Sequence, residues 1–352
     1  MALTLAHTFL KIQENFFCGN NKIKITTRPE AAAIWANVSE CFLCHLLCCL
    51  PLQTPTAIAL GNFDGVHRGH QHVIRTLVEA APANCYRSVI TFSPHPQAFF
   101  TGEERLLLTP AAEKRTLLSQ YGIEQVIVLP FTQELAQLSP LEFIEQILVQ
   151  QLQATVLSVG FNFGFGRGRS GTAEDLRTLC AAFGIPVHIV PPHCHGSDRV
   201  SSSAIRAALA TGDVDLARAL LGRPYALTGT VVSGQQLGRQ LGFPTANLAL
   251  PADKLLPRHG VYACRVTAAA LSSPQLGVVN IGVRPTVAGR RVTTEVHLLD
   301  WHGNLYNQES TLHLEAFIRP EMQFSALADL QAQIASDCRT AATLLQRVES
   351  YA

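Results

Sequence analysis

Two histidines three residues apart, His67 and His70, are the first side chains in this sequence whose spacing points to chemistry. Glycines frame them in the stretch Leu60-Gly61-Asn62-Phe63-Asp64-Gly65-Val66-His67-Arg68-Gly69-His70. Residues three apart on a helix face the same way, glycine allows a close backbone approach to a ligand, and a helix start attracts phosphate. We interpret the stretch as a phosphate-handling turn. The alternative is that each histidine is an ordinary cap or surface residue.

A strand and a helix would hold this turn. The apolar run 56–60 predicts a buried strand, and Val73, Ile74 and Leu77 recur at helical spacing within 71–79. The two histidines therefore fall on a strand-to-helix turn.

The same alternation continues to about residue 221. Further strands are predicted at 88–92, 125–130, 155–160 and 187–190. Helices are predicted at 71–79, 110–120, 140–152 and 172–183, and then at 201–210 and 213–221. This order indicates an α/β domain over 54–221, with a parallel sheet and helices on both faces. Ligands in such sheets bind outside the carboxyl ends of the strands.

Three more loops at those carboxyl ends carry polar side chains. Two prolines flank His95 and fix its loop. Residues 159–171 bring two arginines that can reach phosphate oxygens. Their G-x-G-x-x-G pattern lacks the strand spacing and the later acidic residue of a dinucleotide site. Ser201 and Ser202 precede an apolar helix, where a helix N-cap and a phosphate grip both remain open.

Composition excludes some classes of protein. The net charge is +1, and charged residues make up 15% of the 352 residues against roughly 25% in typical domains. Nothing therefore points to a nucleic-acid partner, and no apolar run reaches the roughly 18 residues of a membrane span. A cytoplasmic protein with free thiols is expected, because ten cysteines in so long a chain do not form a disulfide scaffold. The sequence carries no signal of oligomeric state.

The first 53 residues differ from the rest. Five of the ten cysteines lie there, at Cys18, Cys41, Cys44, Cys48 and Cys49. We expect a poorly ordered extension. A zinc site is the lesser alternative, since four of these sulfurs crowd one apolar segment without a second ligand pair.

Beyond Gly222-Arg223-Pro224 the pattern changes to short strands with turn signals. Strands are predicted at 225–232, 246–250, 261–268, 276–281, 292–300 and 312–318. Their spacing indicates a small antiparallel barrel over 222–352. A closing amphipathic helix is predicted at 325–345, with one apolar face formed by Leu327, Leu330, Ile334, Cys338, Ala341 and Leu345.

The motif at 61–70 is similar to the His-x-x-His signature of nucleotidyltransferases. Its full form resembles that of the bacterial bifunctional riboflavin kinase/FMN adenylyltransferases, also called FAD synthetases. Residues 200–206 are similar to the Ile-Ser-Ser-Thr-x-Ile-Arg motif of the same group. The family has Phe-Arg-Phe-Gly after an aspartate, where this chain has Asn162 and Gly164.

The second half carries an independent resemblance. Gly242-Phe243-Pro244-Thr245-Ala246-Asn247 resembles the signature of riboflavin kinases without a gap, and residues 280–286 and 294–300 fit in order and spacing. Without the resemblance, 238–247 would be a tight loop between strands and Glu295 an exposed strand carboxylate. No Walker A pattern occurs, so other loops would bind phosphate.

The resemblance implies a Rossmann-like nucleotidyltransferase sheet followed by a six-stranded riboflavin-kinase barrel. It implies that riboflavin is phosphorylated by ATP to FMN, and that FMN is then adenylylated by a second ATP to FAD and pyrophosphate. Mg²⁺ is the implied metal, ATP the co-substrate, and riboflavin, FMN and FAD the substrates or products. The alternative is a single-activity flavin enzyme with one domain reduced to flavin or nucleotide binding.

The resemblance also assigns residues. Glu295, His67 and His70 are the implied catalytic residues, and Thr245 and Asn247 the implied metal ligands. The implied nucleotide- and flavin-binding residues are Gly61, Asn62, Phe63, Asp64, His95, Asn162, Arg169, Ser201, Ser202, Arg206, Gly234 and Arg239.

Overall fold

The computed structural model of the protein describes residues 52–234, 238, 241–286 and 289–349, without the side chains of 283–291 and 347–349. The expected N-terminal extension, including its cysteine cluster, therefore lies outside the described residues except for its last two positions. Arg239 also lies outside them. No helix within the described ranges is both long and apolar enough to cross a membrane.

The first half alternates strands and helices. Its elements are β1 (Thr56–Leu60), α1 (Arg68–Ala80), β2 (Tyr86–Ser93), α2 (Pro96–Thr101), α3 (Ala111–Gln120), β3 (Gln125–Pro130), α4 (Gln133–Gln137), α5 (Pro140–Glu142, continued by Phe143–Gln151), β4 (Ala154–Gly160), β5 (Gly164–Phe165), β6 (Gly171–Thr172), α6 (Ala173–Ala181), β7 (Val187–Val190), β8 (Cys194–His195), β9 (Asp198–Arg199), α7 (Ser202–Thr211) and α8 (Val214–Leu221).

Five of these strands form the predicted parallel sheet, in the order β3-β2-β1-β4-β7. The central strand β1 is buried at all five positions, so both faces of the sheet are covered there. On one face Ala57 and Ala59 pack against Val73, Ile74 and Leu77 of α1. The strand order reverses between β1 and β4, and such a reversal opens a crevice at the carboxyl edge of the sheet.

The helix predicted at 140–152 forms as α5 with an unexpected geometry. Ser139 and Glu142 make a capping box at its start, and the part Phe143–Gln151 is π-helical. The wider turn is seen in the bond from Leu152 N to Ile147 O, at 3.0 Å. Four apolar side chains of the π-helical stretch are buried: Phe143, Ile144, Ile147 and Leu148.

The second half is the predicted closed antiparallel barrel, with strand order β10-β11-β14-β13-β12-β15. Its elements are β10 (Tyr225–Val232), β11 (Ala246–Ala249), β12 (Gly260–Ala268), β13 (Gln275–Thr286), β14 (Gly289–Leu298), β15 (Glu309–Arg319) and the closing helix α9 (Leu327–Glu349). Ala341 and Leu345 of α9 pack on Val261, Ala263 and Val278 of the barrel. The prediction that Leu327 shares this face is wrong, because Leu327 is 62% exposed at the first residue of α9, before the helix reaches the barrel.

The interior of the barrel continues into the first half. Ile205 and Leu209 of α7 and Leu220 of α8 belong to the same apolar cluster as Leu227 and Leu312 of the barrel. Thus α7 and α8 join the two halves through packing as well as through the chain.

Candidate active sites

The turn after β1 has a conformation that few side chains adopt freely. Phe63 and Val66 have φ values of 48° and 41°, and Gly65 has 90°. Non-glycine residues in this left-handed region are strained and persist where their surroundings fix them. Asp64 Oδ1 accepts a hydrogen bond from Thr109 N (3.1 Å), and Gly65 N donates to Thr109 Oγ1 (2.9 Å).

His67 and His70 lie at the start of α1 with their rings stacked, 3.6 Å between centroids and 14° between planes. His67 is the N-cap of α1, and its Nδ1 accepts from His70 N at 3.2 Å. A neutral ring that accepts at Nδ1 carries its proton on Nε2. His67 therefore offers one N–H donor from Nε2.

Both rings are uncharged at neutral pH. His67 is 7% exposed, and this burial lowers its pKa to about 4. Burial also lowers the pKa of His70 well below its usual range, and the neighbouring His67 lowers it further. A proton donor without charge, held out of water, suits stabilisation of charge that develops on a ligand.

A cavity of about 630 Å³ opens at the carboxyl edge of the sheet, beside these rings. The predicted residues that line it are Gly61, Asn62, Phe63, Asp64, His67, His70, His95, Asn162, Arg169, Ser201 and Ser202. Arg206 contacts the motif from behind instead: its NH2 pairs with Asp64 Oδ2 at 2.5 Å. The loops after β1 and β4 thus meet where the strand order predicts a crevice.

His95 caps α2 and points back to the motif. Its Nδ1 accepts from Gln97 N (3.1 Å), and its Nε2 lies 3.0 Å from the side-chain amide of Asn62. Burial lowers the pKa of His95 to about 4. A third neutral imidazole therefore fixes Asn62 beside the cavity.

Lys114 supports the same residue and was missed from the sequence. Its Nζ donates to Asn62 O at 2.8 Å, and its side chain is buried, which lowers its pKa. Lys114 and Leu118 are four residues apart in α3 and both are buried. That spacing puts a lysine on the apolar face of the helix, which is the signal that could have found it.

In the loop after β4, the side chain of Arg169 lies beside Gly164, which has no side chain. A Cβ added at Gly164 would lie 2.9 Å from Arg169 Nε and 3.4 Å from its Cζ, so the guanidinium of Arg169 fills the space next to Gly164. Arg169 NH2 also donates to Asn162 O (3.5 Å). Both positions where the chain departs from the family pattern are therefore covered by one arginine.

An aromatic wall closes one side of the cavity. Phe131 packs edge-to-face with Phe92, Phe99 and Phe100, at centroid distances of 5.7, 5.3 and 5.7 Å. Phe100 is 67% exposed although it lines the cavity. The sequence patterns did not predict this group, because its rings come from a strand, a helix and a loop that are separate in sequence.

The serines at the start of α7 have structural partners. Ser201 is the N-cap of α7 and accepts from Ala204 N at 3.2 Å. Ser202 Oγ donates to Asp64 O at 2.8 Å. The capping alternative is thus present in the structure, while the phosphate grip stays a prediction.

In the barrel, two of the implied kinase residues, Asn247 and Glu295, share one row with Asn280. Asn247 of β11 pairs directly with Glu295 of β14, and Glu295 pairs on its other side with Asn280 of β13. Their sequence neighbours Leu248 and Val296 belong to the interior cluster. Because side chains alternate along a strand, the row Asn247-Glu295-Asn280 lies on the outer face of the barrel.

The loop before β11 is anchored to the same strand. His297 lies two residues after Glu295, and its Nδ1 donates to Pro244 O at 2.8 Å. Its ring also meets Phe243 edge-on, 5.5 Å between centroids. Thr245 follows this anchor directly and lies two residues before Asn247. Gly234 lies against the Asn247 amide, which a Cβ at position 234 would overlap.

Two family models match the chain, one in each half. The FAD synthetase model matches residues 50–204, and the riboflavin kinase model matches residues 221–345.

Curated relatives match across both halves. The bifunctional riboflavin kinase/FMN adenylyltransferase of Escherichia coli (strain K12) is 40% identical over 291 residues, which cover 82% of this chain and 92% of that protein. The protein of the same description from Pseudomonas fluorescens is 41% identical over 290 residues, 81% of this chain and 91% of its own. Among solved structures, one titled a macrolide-efflux protein from Streptococcus pneumoniae is 30% identical, has a TM-score of 0.73, and covers 83% of this chain and 95% of its own. From this identity across both halves of the chain, together with the two matched family models, we conclude that the chain belongs to the family of bifunctional riboflavin kinase/FMN adenylyltransferases.

Proposed function

We propose that the two activities of this enzyme, riboflavin phosphorylation and FMN adenylylation, occupy the two sites described above. The cavity at the sheet edge would carry out adenylyl transfer, and the outer row of the barrel would carry out phosphorylation. The observation that supports this division best is the stacked, neutral pair His67 and His70, which lines the cavity.

In adenylyl transfer, a phosphate oxygen of FMN would attack the α-phosphorus of ATP, and the bond to pyrophosphate would break. The FMN phosphate is already ionised at neutral pH, so no strong base is required. Catalysis then depends on alignment and on stabilising charge at the α-phosphate. The Nε2–H of His67 is a suitable donor to a phosphate oxygen, with His70 stacked beside it.

The cavity also suits two planar rings. Its volume of about 630 Å³ lies within the usual range for sites that bury a small organic ligand. The wall that contains Phe100 and Phe131 offers apolar ring faces and edges for a flavin or an adenine. Arg105 and Arg199 line the cavity as well and supply positive charge for phosphate.

In phosphorylation, the attacking group would be the terminal hydroxyl of the ribityl chain. An alcohol is a weak nucleophile, so a carboxylate that accepts its proton helps the reaction. Glu295 is the proposed base, because it stands between Asn247 and Asn280 on the outer face of the barrel.

Thr245 and Asn247 are the proposed Mg²⁺ ligands. A hydroxyl and an amide are hard oxygen donors, which Mg²⁺ prefers, and the absence of a side chain at Gly234 leaves room for the Asn247 amide. When bound with ATP, Mg²⁺ offsets phosphate charge. We also propose a cytoplasmic location, because both reactions consume ATP.

A mixing experiment tests the division of sites. Alone, neither His70→Ala nor Glu295→Ala should convert riboflavin, ATP and Mg²⁺ into FAD. The two variants mixed should make FAD, since one releases FMN that the other adenylylates. Chromatography of the flavins gives the result. Separate sites would be contradicted if the mixture makes no FAD and each variant alone fails in both riboflavin phosphorylation and FMN adenylylation.

A further inference from the structure

The strained turn that carries the histidines is held from outside its own half of the chain. Its backbone carbonyls at Gly65 and Val66 both accept hydrogen bonds from one side chain, Arg223. The NH2 of Arg223 donates to Gly65 O at 2.7 Å, and the NH1 donates to Val66 O at 3.0 Å. Gln71 Nε2 adds a bond to the same Val66 carbonyl, at 2.9 Å.

Arg223 belongs to the second half of the chain. It lies between the end of α8 and the start of β10, inside the segment that matches the riboflavin kinase model. Two bonds from one planar guanidinium fix both the position and the direction of the two carbonyls. Val66 directly precedes His67, so a shift of these carbonyls would move the catalytic ring.

A second support comes from the barrel and acts through residues 107–109, which contact the turn. The fully buried Lys254, on the loop between β11 and β12, donates from Nζ to Leu108 O (2.8 Å) and pairs with Glu113 (2.5 Å). Around it, Leu107 N bonds to Asp253 O (2.6 Å) and Leu255 N bonds to Leu107 O (2.8 Å). Thr109 directly follows Leu108, and Thr109 makes the hydrogen bonds to Asp64 and Gly65 described above.

We infer that Arg223 is a positioning residue for adenylyl transfer, so that the kinase half of the chain completes the active site of the other half. This inference rests on the proposed assignment of adenylyl transfer to the cavity. Arg223 acts by holding the carbonyls of Gly65 and Val66, which fixes where His67 and His70 point. Misplacement of a catalytic group by about 1 Å can cost on the order of 100-fold in rate.

A matched pair of variants tests the inference. Arg223→Met removes the support of the turn. Arg218→Met removes a different arginine that also joins the halves, since Arg218 NH1 pairs with Glu315 of β15 at 2.8 Å and has no bond to the turn. Each protein is assayed for FAD from FMN and ATP, for FMN from riboflavin and ATP, and for its melting temperature.

For Arg223→Met we expect kcat for FAD formation to fall at least tenfold, with KM and riboflavin phosphorylation within threefold of the parent. Arg218→Met should leave both activities within threefold. Arg223→Lys, which keeps a donor and the charge, should recover part of the lost kcat. If Arg223→Met is not obtained folded, the ratio of the two activities in Arg223→Lys decides.

Two results would overturn the inference. One is FAD formation by Arg223→Met within threefold of the parent. The other is an equal loss of both activities in Arg223→Met and Arg218→Met, which would indicate a general effect of the interface. His70→Ala, assayed in parallel, distinguishes an error in the role of Arg223 from an error in the assignment of the cavity. If it still makes FAD, the assignment of the cavity is itself wrong; if it does not, a failure at Arg223 concerns the positioning role alone.

Discussion

The two candidate sites, the sheet cavity and the barrel row, differ in the charge of their central side chains. The sheet site is a cavity whose histidines are buried and neutral. The barrel site is a row on the outer face of a closed sheet, and its central residue is a carboxylate flanked by two asparagines. Under the proposed assignment, this difference would match the two nucleophiles. The FMN phosphate is already ionised and would need alignment, whereas the riboflavin hydroxyl must lose a proton and would need a base.

The carboxylate in the barrel is where a substitution should have the largest effect. Glu295→Gln keeps the shape of the side chain but removes the proposed base, so phosphorylation of riboflavin should fall by about 10²- to 10⁴-fold. FAD formation from added FMN should continue at the parent rate. Initial rates of both half-reactions measure this. Retention of more than a tenth of the phosphorylation rate would show that no base is needed in the barrel either.

The histidine pair should give the converse result with a somewhat smaller effect. His70→Ala removes one ring from the stack and its donor, and loss of one oriented donor costs about 10²–10³ in rate. FMN should then accumulate from riboflavin without FAD. If FMN formation fell in parallel, the contrast between the two sites would not hold.

Substitutions at Arg169 test whether its guanidinium takes the place of the arginine that the family pattern has at position 164. Arg169→Ala should raise KM for ATP in FAD formation by about 10- to 100-fold, the value of one hydrogen bond to a charged group. In that background Gly164→Arg should restore part of the affinity, because the two side chains compete for the same space. In the parent, Gly164→Arg should weaken binding by displacing Arg169. A double variant no better than Arg169→Ala would contradict the exchange.

The neutral rings also predict that the free energy of unfolding depends on pH. The pKa of His67 is about 4 in the folded protein, against about 6.5 when unfolded. As pH falls through 6.5 the unfolded chain binds the proton first, so stability that is complete above pH 6.5 is lost down to about pH 4. One such group accounts for about 3 kcal/mol.

Urea unfolding at several pH values measures this dependence. His67→Asn keeps a good N-cap for α1 and removes the titrating ring. The variant should therefore lose less free energy of unfolding between pH 6.5 and pH 5 than the parent. Equal losses in the two proteins would show that His67 does not titrate with a lowered pKa.

Much of this fold follows from periodic patterns. The strands β1, β3, β7 and β10 have the predicted limits, because an apolar run between turn residues marks both ends of a strand. The sequence predicts a parallel sheet but not the order of its strands. The observed order makes β1 and β4 neighbours, which brings the loops after these two strands together. Leu327 was misplaced because periodicity marks a helix face but does not say where the helix first touches its partner.

The residues that hold the sheet-site turn in place were harder to predict from the sequence. Lys114 has a local signal, but Arg223 and Lys254 contact residues more than 140 positions away in sequence. No spacing rule links such residues, since their contact depends on how the barrel packs against α7 and α8. Motifs therefore revealed the groups that would touch substrate, while the groups that orient them emerged only from the three-dimensional structure.

The apolar cluster shared by α7, α8 and the barrel has a consequence for how the protein comes apart. Because the two halves share one apolar core, neither half is expected to unfold without exposing the core of the other. Heating should therefore unfold both halves in one cooperative transition and not in two. A fragment that ends at α8 would expose the apolar side chains of α7 and α8 that pack against the barrel, and it should aggregate. Keeping the two halves in one chain therefore covers an apolar surface as well as joining two activities.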